Sequence, residues 1–303
     1  MNDTSNKLFP QDDNYSNIGD TELKKSATNT NSYVCNNCKC VFSSNLVADR
    51  CIMCNSTNLS NNDVNFSNAK FVPFYRTVSN AIEDYKYKTK NIIIPKKFKN
   101  KEVISNIKKV YLPAYLVDAN VKGQVKFFGA DKISKDETKR YELVYDSNFD
   151  FKNVLVSGYS VINDNVFNSI CTYQYDNMVP LTDDLLNDSY SISYDLVPLE
   201  ISNKINNRAM KHCLNVIRGN IPHSLKKLHK NNMDVQIKDN SKIYVPVYMS
   251  NFKYNGKNYL YIMNGQSGES YIDIEYSKIA IIIFSIVLFS LIFICAFLFA
   301  YFL

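Results

Sequence analysis

Tryptophan is absent from the 303 residues, and glycine and histidine are scarce at 8 and 3. So few glycines, none arranged as G-x-G-x-x-G or G-x-x-x-x-G-K-[ST], exclude a P-loop ATPase and the dinucleotide-binding fingerprint. No H-E-x-x-H or G-x-S-x-G occurs. His212 lies on an amphipathic helix expected to pack by its other face, and His223 and His229 fall in a lysine-rich stretch read as a loop. Asp183 and Asp184 are adjacent, so their side chains diverge and serve a helix start rather than an acid–base pair. Catalytic residues: none are expected, and the chain reads as a non-enzyme. The first residues lack the basic and apolar regions of a secretory signal. Residues 1–32, rich in Asn, Ser, Thr and Asp, bury too little apolar surface to offset ordering, and are expected to form a disordered tail.

Charge is also missing from one long stretch. Residues 279–303 carry no ionisable Asp, Glu, Lys or Arg. At a rise of ~1.5 Å per residue they span roughly 37 Å as a helix, more than the ~30 Å of a bilayer's hydrocarbon core. Lys278 precedes them, and Tyr276 and Tyr301 fall where interfacial aromatics sit. The expectation is a single transmembrane helix over 279–303, a cell-membrane location, and a lipid bilayer as partner. With no leader, the bulk of the chain is expected in the cytoplasm.

Cysteine is the informative residue that is present. Cys35-Asn-Asn-Cys38 and Cys51-Ile-Met-Cys54 are two CxxC pairs twelve residues apart. Two intervening residues let both thiolates of a pair converge, and two such pairs close a tetrahedral Zn2+ site with Zn–S of ~2.3 Å. Four protein ligands leave no open position, so the metal is structural. A zinc ribbon over 33–60 is too small for its own apolar core, so metal binding would fold it. Cys40, two residues past Cys38, could substitute in the site; the regular pairs are the better set. Cys213 reads as core on a helix face with Ile205, Ala209, Val216 and Ile217, Cys171 lies in a strand-like stretch, and Cys295 lies in the span. No basic partner is evident for a thiol nucleophile.

The remaining residues, 68–276, read as an α+β domain. Thr77–Lys90 has Val78, Ala81, Ile82 and Tyr85 at helical spacing behind cap candidates. A second short helix is expected near Phe98–Ile107. Strands follow at 110–116, 124–128, 141–145 and 149–159. Thr182 opens a short helix, and an amphipathic helix covers roughly Ser202–Ile217. Strands return at 234–238, 242–254 and 258–263, with a hairpin signal at Asn255-Gly256. Val110-Tyr-Leu-Pro-Ala-Tyr-Leu116 matches Ile243-Tyr-Val-Pro-Val-Tyr-Met249 nearly position for position, which suggests an internal repeat of two sheet units, each opened by a helix. A proline within each strand implies an edge, a bulge or a strand end.

Nine lysines (86, 88, 90, 96, 97, 99, 101, 108, 109) and one acid, Glu102, occupy residues 86–109. Such a run can be a solvated face, can meet anionic lipid or can contact nucleic acid. The cysteine segment itself, with only Lys39 and Arg50 against Asp49, has too few cations to read a phosphate backbone.

These pieces resemble membrane-anchored TFIIB-type zinc-ribbon proteins of low-GC Gram-positive bacteria, which join a zinc ribbon, an α+β middle region and a C-terminal transmembrane helix. The similarity is carried by the four cysteines, Phe71-Val-Pro-Phe74, Val110–Asp118, Val179-Pro-Leu-Thr182, and Ile243–Tyr248 leading to Met263-Asn-Gly-Gln-Ser-Gly268. Where such proteins tend to carry tryptophan, this chain has Tyr115. The resemblance implies the architecture and adds no reaction. The function expected is a non-enzymatic adaptor or scaffold with a protein partner at the cytoplasmic face of the membrane. The alternative is a membrane-tethered nucleic-acid-binding protein using residues 86–109.

Overall fold

The structure, a computed structural model, describes residues 30–62, 69–134, 137–180, 182–223 and 225–302. The expected tail therefore falls outside the described residues as far as residue 29. The fold is mixed α+β and dominated by one 11-stranded sheet, with a cysteine-rich N-terminal part and an apolar C-terminal helix.

Two very long strands form its spine. β5 (Lys108–Lys132) and β9 (Leu225–Tyr254) pair antiparallel from Lys108 opposite Met249 to Ala130 opposite Leu225. The shorter strands and lysine-rich loop expected over 225–254 are thus one continuous strand. Local propensity around Lys226–Lys230 is poor, but β5 supplies a backbone partner along the whole length, and pairing overrides propensity. β6 (Thr138–Ser157) returns along the outer edge of β5. β10 (Lys257–Asn264) returns along the outer edge of β9, through a turn in which Asn255 and Gly256 both have positive φ, 48° and 77°. This is the geometry Asn-Gly favours in a tight hairpin.

The matched heptapeptides are neighbours. Leu112 lies opposite Val245, Tyr111 opposite Pro246, and Pro113 opposite Tyr244. The outer neighbours follow the same plan. β8 (Tyr190–Ile192) runs parallel to β5 at Val110 and Tyr111, and β4 (Lys70–Phe71) runs parallel to β9 at Ile243 and Tyr244. Gly158 donates its N–H to the Pro113 carbonyl at 2.9 Å, and Gly265 donates to the Pro246 carbonyl at 2.8 Å. Neither proline marks an edge or a strand end. Each sits inside the central pair, where the outer neighbour changes from a short parallel strand to a long antiparallel one. The missing N–H costs little there, because it faces a gap in the ladder.

Helices cover the sheet where apolar side chains alternate. α1 (Val78–Thr89) is capped by Thr77, whose Oγ1 accepts from Asn80 N at 3.4 Å while Asn80 Oδ1 accepts from Thr77 N at 3.0 Å. It buries Ala81 and Tyr85 against Tyr248, Tyr261 and Met263. The second short helix resolves into a 3-10 turn (Lys96–Lys99) and α2 (Lys101–Ser105). α3 (Asp164–Asn168) is a single short helix after β6. The amphipathic helix is longer than expected: α4 (Pro198–Asn220) lays Ala209, Cys213 and Ile217 on Val121, Val125 and Phe127 of the long strands. Val216, expected on this face, is instead partly exposed, because it lies one position off the stripe. His212, expected to face away, is exposed, with its ring centroid 5.1 Å from that of Phe151.

α5 (Lys278–Phe302) projects from the domain, with its described side chains largely unburied. It is the one helix among the described residues long and apolar enough to cross a membrane.

Gly123, at φ 137°, lets β5 pass close to β9: an added Cβ would come within 2.5 Å of the Asn232 carbonyl oxygen. Gly219, within α4, has nothing within 4 Å of that position. Gly123→Ala should therefore lower stability by roughly 1–3 kcal/mol. Gly219→Ala should raise it by a few tenths to about 1 kcal/mol. Thermal unfolding of the detergent-solubilised chain checks both signs.

Candidate metal centre

The cysteine-rich part comprises β1 (Asn31–Cys35), β2 (Val41–Ser44) and β3 (Leu59–Asn61), with β2 and β3 flanking β1. Its first strand starts at Asn31, inside the stretch expected to be tail. The turn between β1 and β2 carries Cys38, and the connection from β2 to β3 carries Cys51 and Cys54. Both turns are built alike. The N–H of Lys39 donates to Cys35 O at 2.8 Å, and that of Asn55 donates to Cys51 O at 2.9 Å. Lys39 and Asn55, each one residue past the second cysteine of its pair, have φ of 63° and 60°. This left-handed step turns the chain back, so that both thiols of a pair face the same point.

The result brings together all four cysteines singled out in the sequence. The sulfurs of Cys35, Cys38, Cys51 and Cys54 lie within 4.8 Å of one another. Cys35 Sγ is 3.5 Å from Cys54 Sγ, and Cys38 Sγ is 3.5 Å from Cys51 Sγ. Four sulfurs at ~2.3 Å from a tetrahedral ion would be roughly 3.8 Å apart, so the spacing suits a metal. Outer hydrogen bonds aim at the sulfurs: Met53 N donates to Cys51 Sγ at 3.4 Å and Asn37 Nδ2 to Cys54 Sγ at 3.6 Å. Asn37 was not anticipated from sequence, although its place inside the first CxxC is the available signal.

The electrostatics point the same way. Burial pushes the Cys38 thiol well above its ordinary range. A hydrogen bond with Cys40 and then burial do the same for Cys51. Crowded, half-buried thiols resist ionising alone, and a divalent cation at their centre reverses that preference. Cys40 is buried beside the cluster, next to Cys51 and Tyr159, and is outside the four-sulfur set.

This part is not the free-standing module expected for 33–60. β2 pairs with β8 through Phe42 opposite Ile192 and Ser43 opposite Ser191, so the sheet runs on without a break. Tyr33, Cys35, Cys40, Phe42 and Cys51 share one apolar cluster with Val110, Leu112, Val245 and Ile262. The turns that hold the cysteines have no core of their own and use that of the larger domain. From β9, Asn251 Nδ2 donates to Ile52 O at 3.3 Å and ties the second pair to the sheet.

A cleft of about 530 Å³ lies beside the cluster, lined by Cys38, Cys54, Tyr159, Asn251, Tyr271 and Asp273 among others. Asp273 is fully engaged: Tyr271 OH donates to it at 2.6 Å and Leu260 N at 3.2 Å. Of the other cysteines, Cys213 is buried as core. Cys171 has a basic neighbour after all, Arg208 Nη2 at 3.3 Å, brought in from α4 across 37 residues of sequence. His223 Nδ1 lies 2.6 Å from Asp131 Oδ2 and its ring stacks on Tyr141, a structural role at the far end of the long strands.

The fold and site together define a mixed α+β protein with a four-cysteine cluster suited to a metal ion and one apolar helix of membrane-spanning length. Over 216 residues the chain is 22% identical to the uncharacterized protein YdjG of Bacillus subtilis (strain 168), covering 66% of this chain and 62% of that protein. The match thus takes in less than two thirds of that relative's length. No family model matches the chain. No solved structure matches it.

Replacing Cys51 by Ser should abolish metal binding and loosen amide protection in β1, β2 and also β8, because they share a sheet and core. Hydrogen exchange confined to residues 30–62 would instead mean an independent module. Asn251→Ala should keep the metal and cost about 1 kcal/mol, read by thermal unfolding.

Proposed function

We propose that this chain is a membrane-anchored zinc-ribbon protein of the TFIIB type, acting as a non-enzymatic adaptor or scaffold at the cytoplasmic face of the membrane. The observation that carries the reading is the closed set of Cys35, Cys38, Cys51 and Cys54, continuous through one sheet with the strands that lead to α5. Four thiolates of this spacing select Zn2+ among common cellular metals, and leave it no position for substrate. The ion would hold two turns on the edge of the sheet. A surface formed by those turns and the adjoining strands is then available to a protein partner.

The anchor is Lys278–Phe302, in which the long uncharged run follows a single lysine. The pairing of Leu112 with Val245, with like neighbours on each outer edge, further supports two related sheet units joined about a local two-fold. Nucleic-acid binding through residues 86–109 is the weaker reading. Three of the nine lysines there are engaged by carboxylates: Lys88 by Asp84, Lys97 by Glu102 and Lys109 by Asp188.

The test is purification of the intact, membrane-extracted protein from its own cells, with metal, protein and nucleic acid quantified together. The expected result is about one zinc per chain, a reproducible protein partner, and release to the soluble fraction when residues 279–303 are deleted. Abundant nuclease-sensitive nucleic acid with no protein partner would move the assignment to the tethered nucleic-acid binder.

A further inference from the structure

The lysine-rich segment is folded against the base of α5. Ser277, the residue before α5, donates its N–H to Ile93 O at 2.8 Å. The loop 91–95, between α1 and the 3-10 turn, is therefore level with the start of the apolar helix. Beneath it Ile94 and Phe98 are buried with Tyr259, and Ile274 packs against them, so the loop and the approach to α5 share one small core. Ile92, next to the bonded Ile93, points the other way and is 80% exposed. Tyr87 and Tyr276 are also exposed, at 68% and 51%.

Cations surround this loop from three parts of the chain. Lys90 lies over the Tyr87 ring at 4.0 Å, and Lys96 opens the 3-10 turn. Lys257 comes from the β9–β10 hairpin, opposite Tyr254, which meets Phe98 at 5.6 Å between ring centroids. Lys278 begins α5. The acids nearby face inward or are already paired. Glu102 pairs with Lys97 at 3.8 Å, Glu275 accepts from Tyr259 OH, and Asp273 accepts from Tyr271 OH. Lys99 is turned onto the loop carbonyl of Asn91 at 2.8 Å. Among the described residues, Lys90, Lys96, Lys257 and Lys278 have no carboxylate in ion-pair range. An exposed isoleucine and aromatics ringed by unpaired lysines, at the foot of a membrane-length helix, have the chemistry of an interfacial contact with anionic lipid.

We propose that the loop 91–95 is a second membrane contact: Ile92 enters the headgroup region beside α5 while Lys90, Lys96 and Lys257 bind anionic headgroups. This rests on the reading that α5 spans the bilayer. Two points of attachment would fix the domain's tilt and so decide which face of the sheet and cysteine cluster is presented to the cytoplasm. A single flexible tether would leave that orientation free.

The absence of tryptophan makes the test direct. The full chain carrying Ile92→Trp is reconstituted in vesicles of phosphatidylcholine mixed with phosphatidylglycerol, and its only indole is read by emission wavelength and by quenching with chain-brominated lipid. A second full chain carrying Phe293→Trp reports α5 in the same vesicles. The expected result is blue-shifted, quenched emission at position 92, weakened in pure phosphatidylcholine and in a variant with Lys90, Lys96 and Lys257 changed to Gln. Each cation should be worth about fivefold in the loop's occupancy of the surface. Quenching at 293 with water-like emission at 92 would overturn the proposal and leave the anchor intact. No quenching at either position would overturn both. Quenching at 92 that is indifferent to phosphatidylglycerol and to the lysines would overturn the headgroup assignment, and loss of bound nucleic acid in the Gln variant would reassign those lysines.

Discussion

The ladder between β5 and β9 is the constraint on which the other elements depend. Every other layer refers to it: β6 and β10 return along its outer edges, β4 and β8 pair with it at Tyr244 and Tyr111, and α4 lies across its far half. Backbone pairing of this length tolerates poor local composition, because each N–H and C=O left unpaired in the interior costs more than a weak strand former. It also makes the register demanding. The bulges opposite Asp118/Ala119 and Lys126/Phe127 each add a residue to β9, Lys238 and His229, and so keep Val235 and Leu228 on the same face as Val121 and Phe127, which α4 covers. A slip of one residue would turn that row to solvent.

The cysteine cluster inherits its rigidity from the same sheet. A four-thiol site in a short peptide depends on its metal for folding. Here Phe42 and Tyr33 stack at 5.5 Å and continue into the domain's core through Tyr190. A metal bound there would stabilise strands that the domain uses, and the domain preorganises the turns that bring the four sulfurs together.

The β9–β10 side of the sheet leads to the apolar helix, with unpaired lysines around the helix base. The cysteine cluster and the α5 base are both bound to β9 and β10, through Asn251 in one case and Tyr254 and Tyr259 in the other. A tilt imposed at the membrane surface would consequently be carried to the cluster through a stiff sheet rather than a linker.

Some of this was legible in the residues alone, where the cause is local. Two CxxC pairs need only a turn each, so the four cysteines that cluster could be named before any fold was known. An uncharged run of 25 residues declares itself by length. Thr77 with Asn80, and Asn255 with Gly256, mark a helix start and a hairpin by chemistry within four residues. What sequence did not disclose were the relations between distant segments. That Leu112 would face Val245, that Lys226–Lys230 would be strand, and that the cysteine turns would share a core with Val110 and Val245 all depend on contacts between segments far apart in the chain. The same holds for Lys257 joining the 86–99 lysines beside α5. Sequence by itself determined the four clustered cysteines, the apolar helix and the α+β class, because spacing and hydropathy act within a turn or two. Tertiary structure alone decided that the cysteine-rich part and the rest of the domain share one sheet and that the basic loop sits at the helix base. Those outcomes follow from which backbone edges and apolar faces find each other, and no local pattern encodes that choice.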